Sequence, residues 1–111
     1  MASTSNSEPE VLSLSGDIDM HQSPQIKQAL EPLIAKKSGL VLVDFSGVSY
    51  IDSSGLAVFI EAMQRIQSYG GKFAFFGLRD NVKDIFEFAR LDQIFRIYSD
   101  KPTAVQAVQA V

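Results

Sequence analysis

Two consecutive serines, Ser53 and Ser54, stand between Asp52 and Gly55-Leu56, where an apolar run hands over to a helical period. Two hydroxyls at the mouth of a helix occupy the place in an α/β domain where a phosphate group is best tolerated. The groups that could act chemically with them are the carboxylates Asp17, Asp19, Asp44 and Asp52 and the single histidine, His21. A Ser-His-Asp triad would need His21 beside Ser53 or Ser54. The nucleophile-elbow pattern Gly-x-Ser-x-Gly is absent, because Ile51 and Ser54 flank Asp52-Ser53. Neither Gly-x-x-x-x-Gly-Lys nor Gly-x-Gly-x-x-Gly occurs, so no phosphate-cradling nucleotide loop is expected. The carboxylates could be drawn as a Mg²⁺ cluster, but aspartates at strand ends more often cap loops. Capping also explains Asp-Ser-Ser without any function, since a helix start leaves amides that these side chains accept. No catalytic residue, metal or cofactor is expected. Gly55 differs from its neighbours: it costs roughly 1 kcal/mol of helix propensity against alanine, and points to something approaching the backbone closely.

The elements that must position this loop are legible on either side of it. Leu40-Val41-Leu42-Val43-Asp44-Phe45 is nearly continuous in apolar character, which predicts a central strand covered on both faces. Ser46-Gly47 reads as a turn, with Val48 to Ile51 as a bridge to the helix. Leu56, Phe59, Ile60, Met63 and Ile66 then recur at helical spacing, one buried stripe. Glu61 and Arg65, four apart on the outer side, are placed to pair. Gly70-Gly71 is the stop.

The flanking segments repeat the alternation of strand and helix. Val11 to Ser15 alternates as a strand that Gly16-Asp17 ends. Ser23-Pro24 reads as an N-cap with proline at the first helical position, followed by the stripe Ile26, Leu30, Leu33 and Ile34. Pro32 predicts a kink in that helix, Lys36-Lys37 complements its dipole, and Gly39 is the expected stop. Lys72 to Phe76 is a strand; Asp80 or Asn81 caps a third helix whose Val82, Ile85, Phe86 and Ala89 face inward. Phe88 lies off that stripe, an exposed contact candidate. Ile94 to Tyr98 alternates as a last strand, and Pro102 to Ala110 is compatible with a closing helix. The fold class is α/β: a single domain over 11–111, with a mainly parallel four- to five-stranded sheet and about four helices. Residues 1–10 are polar, expected to be a flexible segment or at most a brief edge strand near Ala2 to Ser5.

Composition narrows the partner class. A chain of 111 residues can bury roughly two thirds of its unfolded surface and fold without staples. The absence of cysteine removes disulfides, thiol catalysis and Cys-based zinc sites, and suits a reducing compartment. The first ten residues lack a basic region and an apolar core, and no run approaches the ~20 apolar residues of a membrane span. A cytoplasmic protein without membrane insertion is expected. A net charge of −3 with mixed signs argues against direct nucleic-acid binding and for a discrete protein partner.

The run Val43-Asp44-Phe45-Ser46-Gly47-Val48-Ser49-Tyr50-Ile51-Asp52-Ser53-Ser54-Gly55-Leu56 resembles the signature of the STAS domain family, typified by bacterial anti-sigma factor antagonists. Gly16-Asp17-Ile18-Asp19 is similar to that family's Gly-acidic-aliphatic-Asp element. The likeness spans roughly Val11 to Val105. It implies a protein switch, not an enzyme, phosphorylated at the first hydroxyl after the aspartate, here Ser53. Asp52, Ser54, Gly55 and Leu56 would shape the acceptor loop, while Asp17, Asp19, Ser53 and Ser54 would meet the partner. The implied partners are an anti-sigma factor with serine kinase activity, bound when Ser53 is unmodified and released when it is phosphorylated, and a serine phosphatase. The alternatives left by the same resemblance are an interaction subunit of a membrane lipid- or anion-transport complex, and a non-phosphorylated scaffold.

Overall fold

Leu40–Ile51 forms one unbroken 12-residue strand (β2), and the rest of the domain is laid against it. In the computed structural model, which describes residues 9–109, four parallel strands lie in the order β1-β2-β3-β4: Glu10–Ile18, Leu40–Ile51, Lys72–Phe76 and Arg96–Tyr98. Four α-helices alternate with them: α1 Ser23–Ala35, α2 Ser53–Ser68, α3 Asp80–Phe88 and α4 Lys101–Gln109. The α/β class and parallel sheet agree with the sequence. The edge strand considered near Ala2 to Ser5 lies outside the described residues.

Two faces of the sheet explain why β2 reads as apolar throughout. Val41, Val43, Phe45 and Val48 enter the larger core with α1, α2 and α3, whereas Leu40 and Leu42 pack with Ala74, Phe76 and the α4 residues Ala104 and Val108. Phe45, Phe59, Phe75 and Phe86 are fully buried and pack in tilted and edge-to-face pairs at ring-centroid distances of 4.9 to 5.9 Å. Aromatic pairs at such separations add to the area they bury.

The strand lengths depart from the expected turn positions. Ser46-Gly47 does not end β2, nor does Gly16-Asp17 end β1. Two bulges absorb the irregularity, between Ser13 and Ser15 and between Gly16 and Asp17, so that Asp17 still lies opposite Tyr50 and Ile18 opposite Ile51. The extra residue of each bulge lies on β2, between Asp44 and Gly47 and between Val48 and Tyr50, and pairing resumes beyond it. Both strands therefore reach the end of the sheet at which α2 begins.

The caps and ion pairs also differ from local expectation. Ser23 is the first residue of α1 rather than its cap, and its hydroxyl donates to Asp19 O at 2.8 Å. The Asp19 carboxylate accepts the amides of His21 and Gln22 instead, at 2.9 and 3.2 Å. Pro32 stands inside the last turn of α1, which runs on to Ala35: there a proline removes only one ladder bond. Lys37, with φ of 56°, makes the left-handed turn expected of Gly39. Arg65 pairs with Glu31 through both guanidinium nitrogens, and Glu61 with Lys27 at 3.4 Å, rather than with each other. Helix α1 lies alongside α2 and presents the opposite charges. Gly70 closes α2 as expected, with φ of 83°. Arg79, not Asp80 or Asn81, precedes α3, and β4 begins at Arg96 because a 3₁₀ turn, Leu91–Gln93, occupies the approach.

Candidate functional site

The site is assembled where β1 and β2 end side by side. Ile18 O accepts the amide of Asp52 at 3.0 Å, which ties the loop after β1 to the start of α2. Asp52 is the N-cap of α2 in extended geometry, its Oδ1 accepting the amides of Ser54 and Gly55 at 2.8 and 3.2 Å. Its carbonyl takes the amide of Leu56 at 3.1 Å. One aspartate thus satisfies much of the first helical turn, as a strong cap does.

Ser53, the first residue of α2, is exposed. Among the described residues no group hydrogen-bonds its hydroxyl, so Oγ faces solvent free. Ser54 is half-buried, with its amide committed to Asp52. Leu56 is half-buried against the main core. The loop is rigid where it meets the sheet and open where Ser53 stands.

Gly55 has a different reason from the one its position suggests. A Cβ there would lie 2.6 Å from Ile18 Cγ2 and 2.8 Å from Ile51 Cγ1, both belonging to buried side chains. What approaches the backbone is the protein's own core. The glycine lets α2 settle onto the ends of β1 and β2, and that settling places Ser53 at the rim.

The acidic residues of the first loop are close to this rim. Asp17 is exposed and its carboxylate accepts the Ser49 hydroxyl at 2.7 Å, which bridges β1 and β2. Asp19 is half-buried and spent on capping the approach to α1. Asp17, Asp19 and Asp52 therefore fall at one end of the sheet, whereas Asp44 is turned to the amide of Ser46 at 2.9 Å. The rim is acidic before any modification.

Three further residues belong to this surface. Met20 is 65% exposed and Tyr50 47%; they stand on the β1–α1 loop and near the end of β2. Asn81 of α3 donates from Nδ2 to Ser49 O at 2.6 Å and fastens α3 to the same end of the sheet. A lone methionine between Asp19 and His21 was the available signal for an apolar contact. Nothing local marks Asn81, whose partner is 32 residues away.

Comparison with known proteins follows the same outline. The family model described as STAS domain matches residues 3–104. A protein of Listeria monocytogenes named anti-sigma-B factor antagonist is 34% identical over 84 residues, covering 76% of this chain and 74% of its own. The crystal structure of an anti-sigma factor antagonist from Mycobacterium paratuberculosis superposes with a TM-score of 0.83 at 26% identity, over 91% of this chain and 86% of that one. The Bacillus cell-fate determinant SpoIIAA, solved in its phosphorylated form, shares the fold at a TM-score of 0.70 and 22% identity, over 91% of each chain. Among the described residues no helix is long and apolar enough to cross a membrane.

Proposed function

The chain belongs to the STAS domain family, and from that premise we propose that it is an anti-sigma factor antagonist switched by phosphate on Ser53. The observation that carries this reading is the exposed Ser53 hydroxyl at the capped start of α2, unbonded among the described residues. Unmodified, the domain binds an anti-sigma factor that is also a serine kinase and so frees a sigma factor. The kinase transfers the γ-phosphoryl group of ATP to Ser53 Oγ, the hydroxyl proton leaves, and the complex separates. A serine phosphatase hydrolyses the ester and resets the domain. All of this is placed in the cytoplasm, and the protein is the substrate throughout.

The physics favours a change of charge over a change of shape. A phosphoserine adds about −1.5 to −2 charges beside Asp52, on a rim that already holds Asp17 and Asp19. The helix N-terminus returns only ~0.3–2 kcal/mol of attraction. A fold with ~5–15 kcal/mol in reserve tolerates that imbalance. A docked interface does not: a like or unpaired charge costs several kcal/mol there, and each ~1.4 kcal/mol is tenfold in affinity. A loss of ~10²–10³ in binding therefore needs no rearrangement of the domain.

The decisive experiment incubates the protein with its cognate kinase and ATP and locates the phosphate by mass spectrometry. Phosphate at Ser53, and its disappearance in Ser53→Ala, is the expected result; undiminished incorporation in that variant removes the assignment. Titration of the kinase with wild type and with Ser53→Asp separates the mechanism from the site. Equal affinities would contradict the charge switch.

A further inference from the structure

Of the eight phenylalanines, seven are buried and one, Phe88, is 90% exposed at the last position of α3. An open hollow of about 400 Å³ adjoins it, lined by Asp84, Glu87 and Phe88. Val82, Ile85 and Phe86 take the inward side of α3. At about 100° per residue, Asp80, Asp84, Glu87 and Phe88 share the opposite arc. Asp80, Asp84 and Glu87 make no ion pair among the described residues. The outer face of α3 is thus an aromatic ring beside three carboxylates, with the exposed Lys83 at the edge of the arc next to Glu87, an arrangement of net negative charge that the fold itself does not use.

We infer that this face is a docking surface for a cationic, amphipathic segment of a protein partner, with Phe88 as its anchor. Where the antagonist reading above holds, that partner is the anti-sigma factor, and the contact is a second one beside the Ser53 loop. Charge selects the occupant. A second copy of this chain on a two-fold axis would bring the Asp80, Asp84 and Glu87 carboxylates of one copy up to those of the other with only Lys83 to offset them, which is net repulsive. An anionic lipid surface meets the same repulsion. A segment bearing lysine or arginine around an apolar pocket meets neither. Exposed aromatics of this kind, once desolvated, are the usual anchors of an interface.

The patch is continuous with the acceptor loop. Asn81 and Phe88 are seven residues apart, so they lie within about 20° of one side of α3 and about 10 Å apart along its axis. Asn81 holds Ser49 O, next to Tyr50 at the end of β2. One partner can reach both contacts. The Phe88 contact rests on burial of an aromatic ring and not on charge, so a phosphate on Ser53 weakens it less than it weakens the acceptor-loop contact. The phosphorylated form should then keep a weak, residual grip on its partner.

Calorimetric titration with the purified anti-sigma factor tests this in the full chain. Phe88→Ala is expected to weaken binding at least ~10-fold, by the same factor in the Ser53 and Ser53→Asp backgrounds, since separated contacts add. Asp84→Asn with Glu87→Gln should slow association and flatten its salt dependence. Both variants change exposed side chains, and unchanged unfolding curves serve as the control. A probe independent of that partner is a synthetic Leu/Lys amphipathic helical peptide, followed by amide NMR shifts. Shifts confined to α3, lost in Phe88→Ala and absent with a Leu/Glu peptide, support the surface. If these appear while the anti-sigma factor binds no form of the chain, the antagonist reading fails and the cationic docking face stands. Undiminished anti-sigma factor binding by Phe88→Ala, or peptide shifts outside α3, overturns the inference. So does self-association, or binding to phosphatidylglycerol vesicles, that Phe88→Ala abolishes.

Discussion

Replacing Gly55 by alanine sets two effects against each other at the start of α2. Helix propensity alone favours alanine by about 1 kcal/mol. The new methyl group, however, would sit 2.6 Å from Ile18 Cγ2, 2.8 Å from Ile51 Cγ1 and 3.1 Å from Ile51 Cδ1. Both isoleucines are β-branched, stiff at χ1 and sealed in the core. Overpacking costs ~1–3 kcal/mol, and with two immobile neighbours the upper half of that range applies. The net expectation is a loss of about 1–2 kcal/mol. Urea unfolding should show a lower midpoint with an unchanged slope. A double-mutant cycle with Ile18→Ala sharpens the test, because removing Cγ2 relieves the clash and should give a coupling of about 1 kcal/mol. The function should suffer too, since α2 must ride outward from the sheet and carry Ser53 with it. A Gly55→Ala protein stabilised by about 1 kcal/mol would refute the reasoning, and would mean that the glycine serves something outside the domain.

Three other perturbations probe the same framework. Asp52→Ala strips the cap from the amides of Ser54 and Gly55 and should cost ~0.5–2 kcal/mol in chemical unfolding, with Asp52→Asn losing less. Ser38 is buried and its hydroxyl has no partner among the described residues; Ser38→Ala should leave stability unchanged or raise it by about 1 kcal/mol, and a clear loss would reveal an unseen partner. Burial raises the Tyr69 phenol above its ordinary value, and its OH donates to Ser38 O at 2.8 Å. The raised folded value means that this contribution is complete below the ordinary phenol range and lost as pH rises through it, from about 10 upward. Unfolding midpoints followed with pH should therefore fall less steeply in Tyr69→Phe than in wild type.

Much of this architecture was legible because the relevant forces are local or periodic. The apolar run of Leu40 to Phe45 needs cover on both faces, and it received α1, α2 and α3 on one side and α4 on the other. The stripe from Leu56 to Ile66 and the glycine after Tyr69 delimit α2 by spacing and backbone conformation alone. Asp52 as a cap and Phe88 as an outward residue follow from the same periodicity. What escaped was decided between elements. Ser46-Gly47 reads as a turn until β1 runs alongside and keeps it extended. Arg65 has a suitable partner four residues back, yet Glu31 on the neighbouring helix offers two oxygens. Asn81 looks like a cap, but its side chain spans to Ser49. Met20 and Tyr50 gain their meaning only when two strand ends meet. Local pattern thus identified the loop, and contacts 32 residues apart in the chain, Ser49 with Asp17 and Asn81 with Ser49, built the surface around it.

Asp52 links the structural and regulatory parts of this picture. Its carboxylate already accepts the amides of Ser54 and Gly55, and its carbonyl that of Leu56. Three of the first-turn donors that would neutralise a phosphate at an uncapped helix start are therefore occupied. On the switch proposed above, a phosphate on Ser53 would meet a helix start whose next amides are already taken and a neighbouring negative charge, which favours a group that projects outward. Such a group leaves the domain nearly still while changing the field that a docking partner meets. On the same proposal, the capping interaction that ties the loop to α2 would also keep the phosphate available to repel a partner. An Asp52→Asn domain, with one negative charge fewer beside Ser53, should accordingly bind its partner more tightly than wild type when both are phosphorylated, and by a smaller margin when neither is.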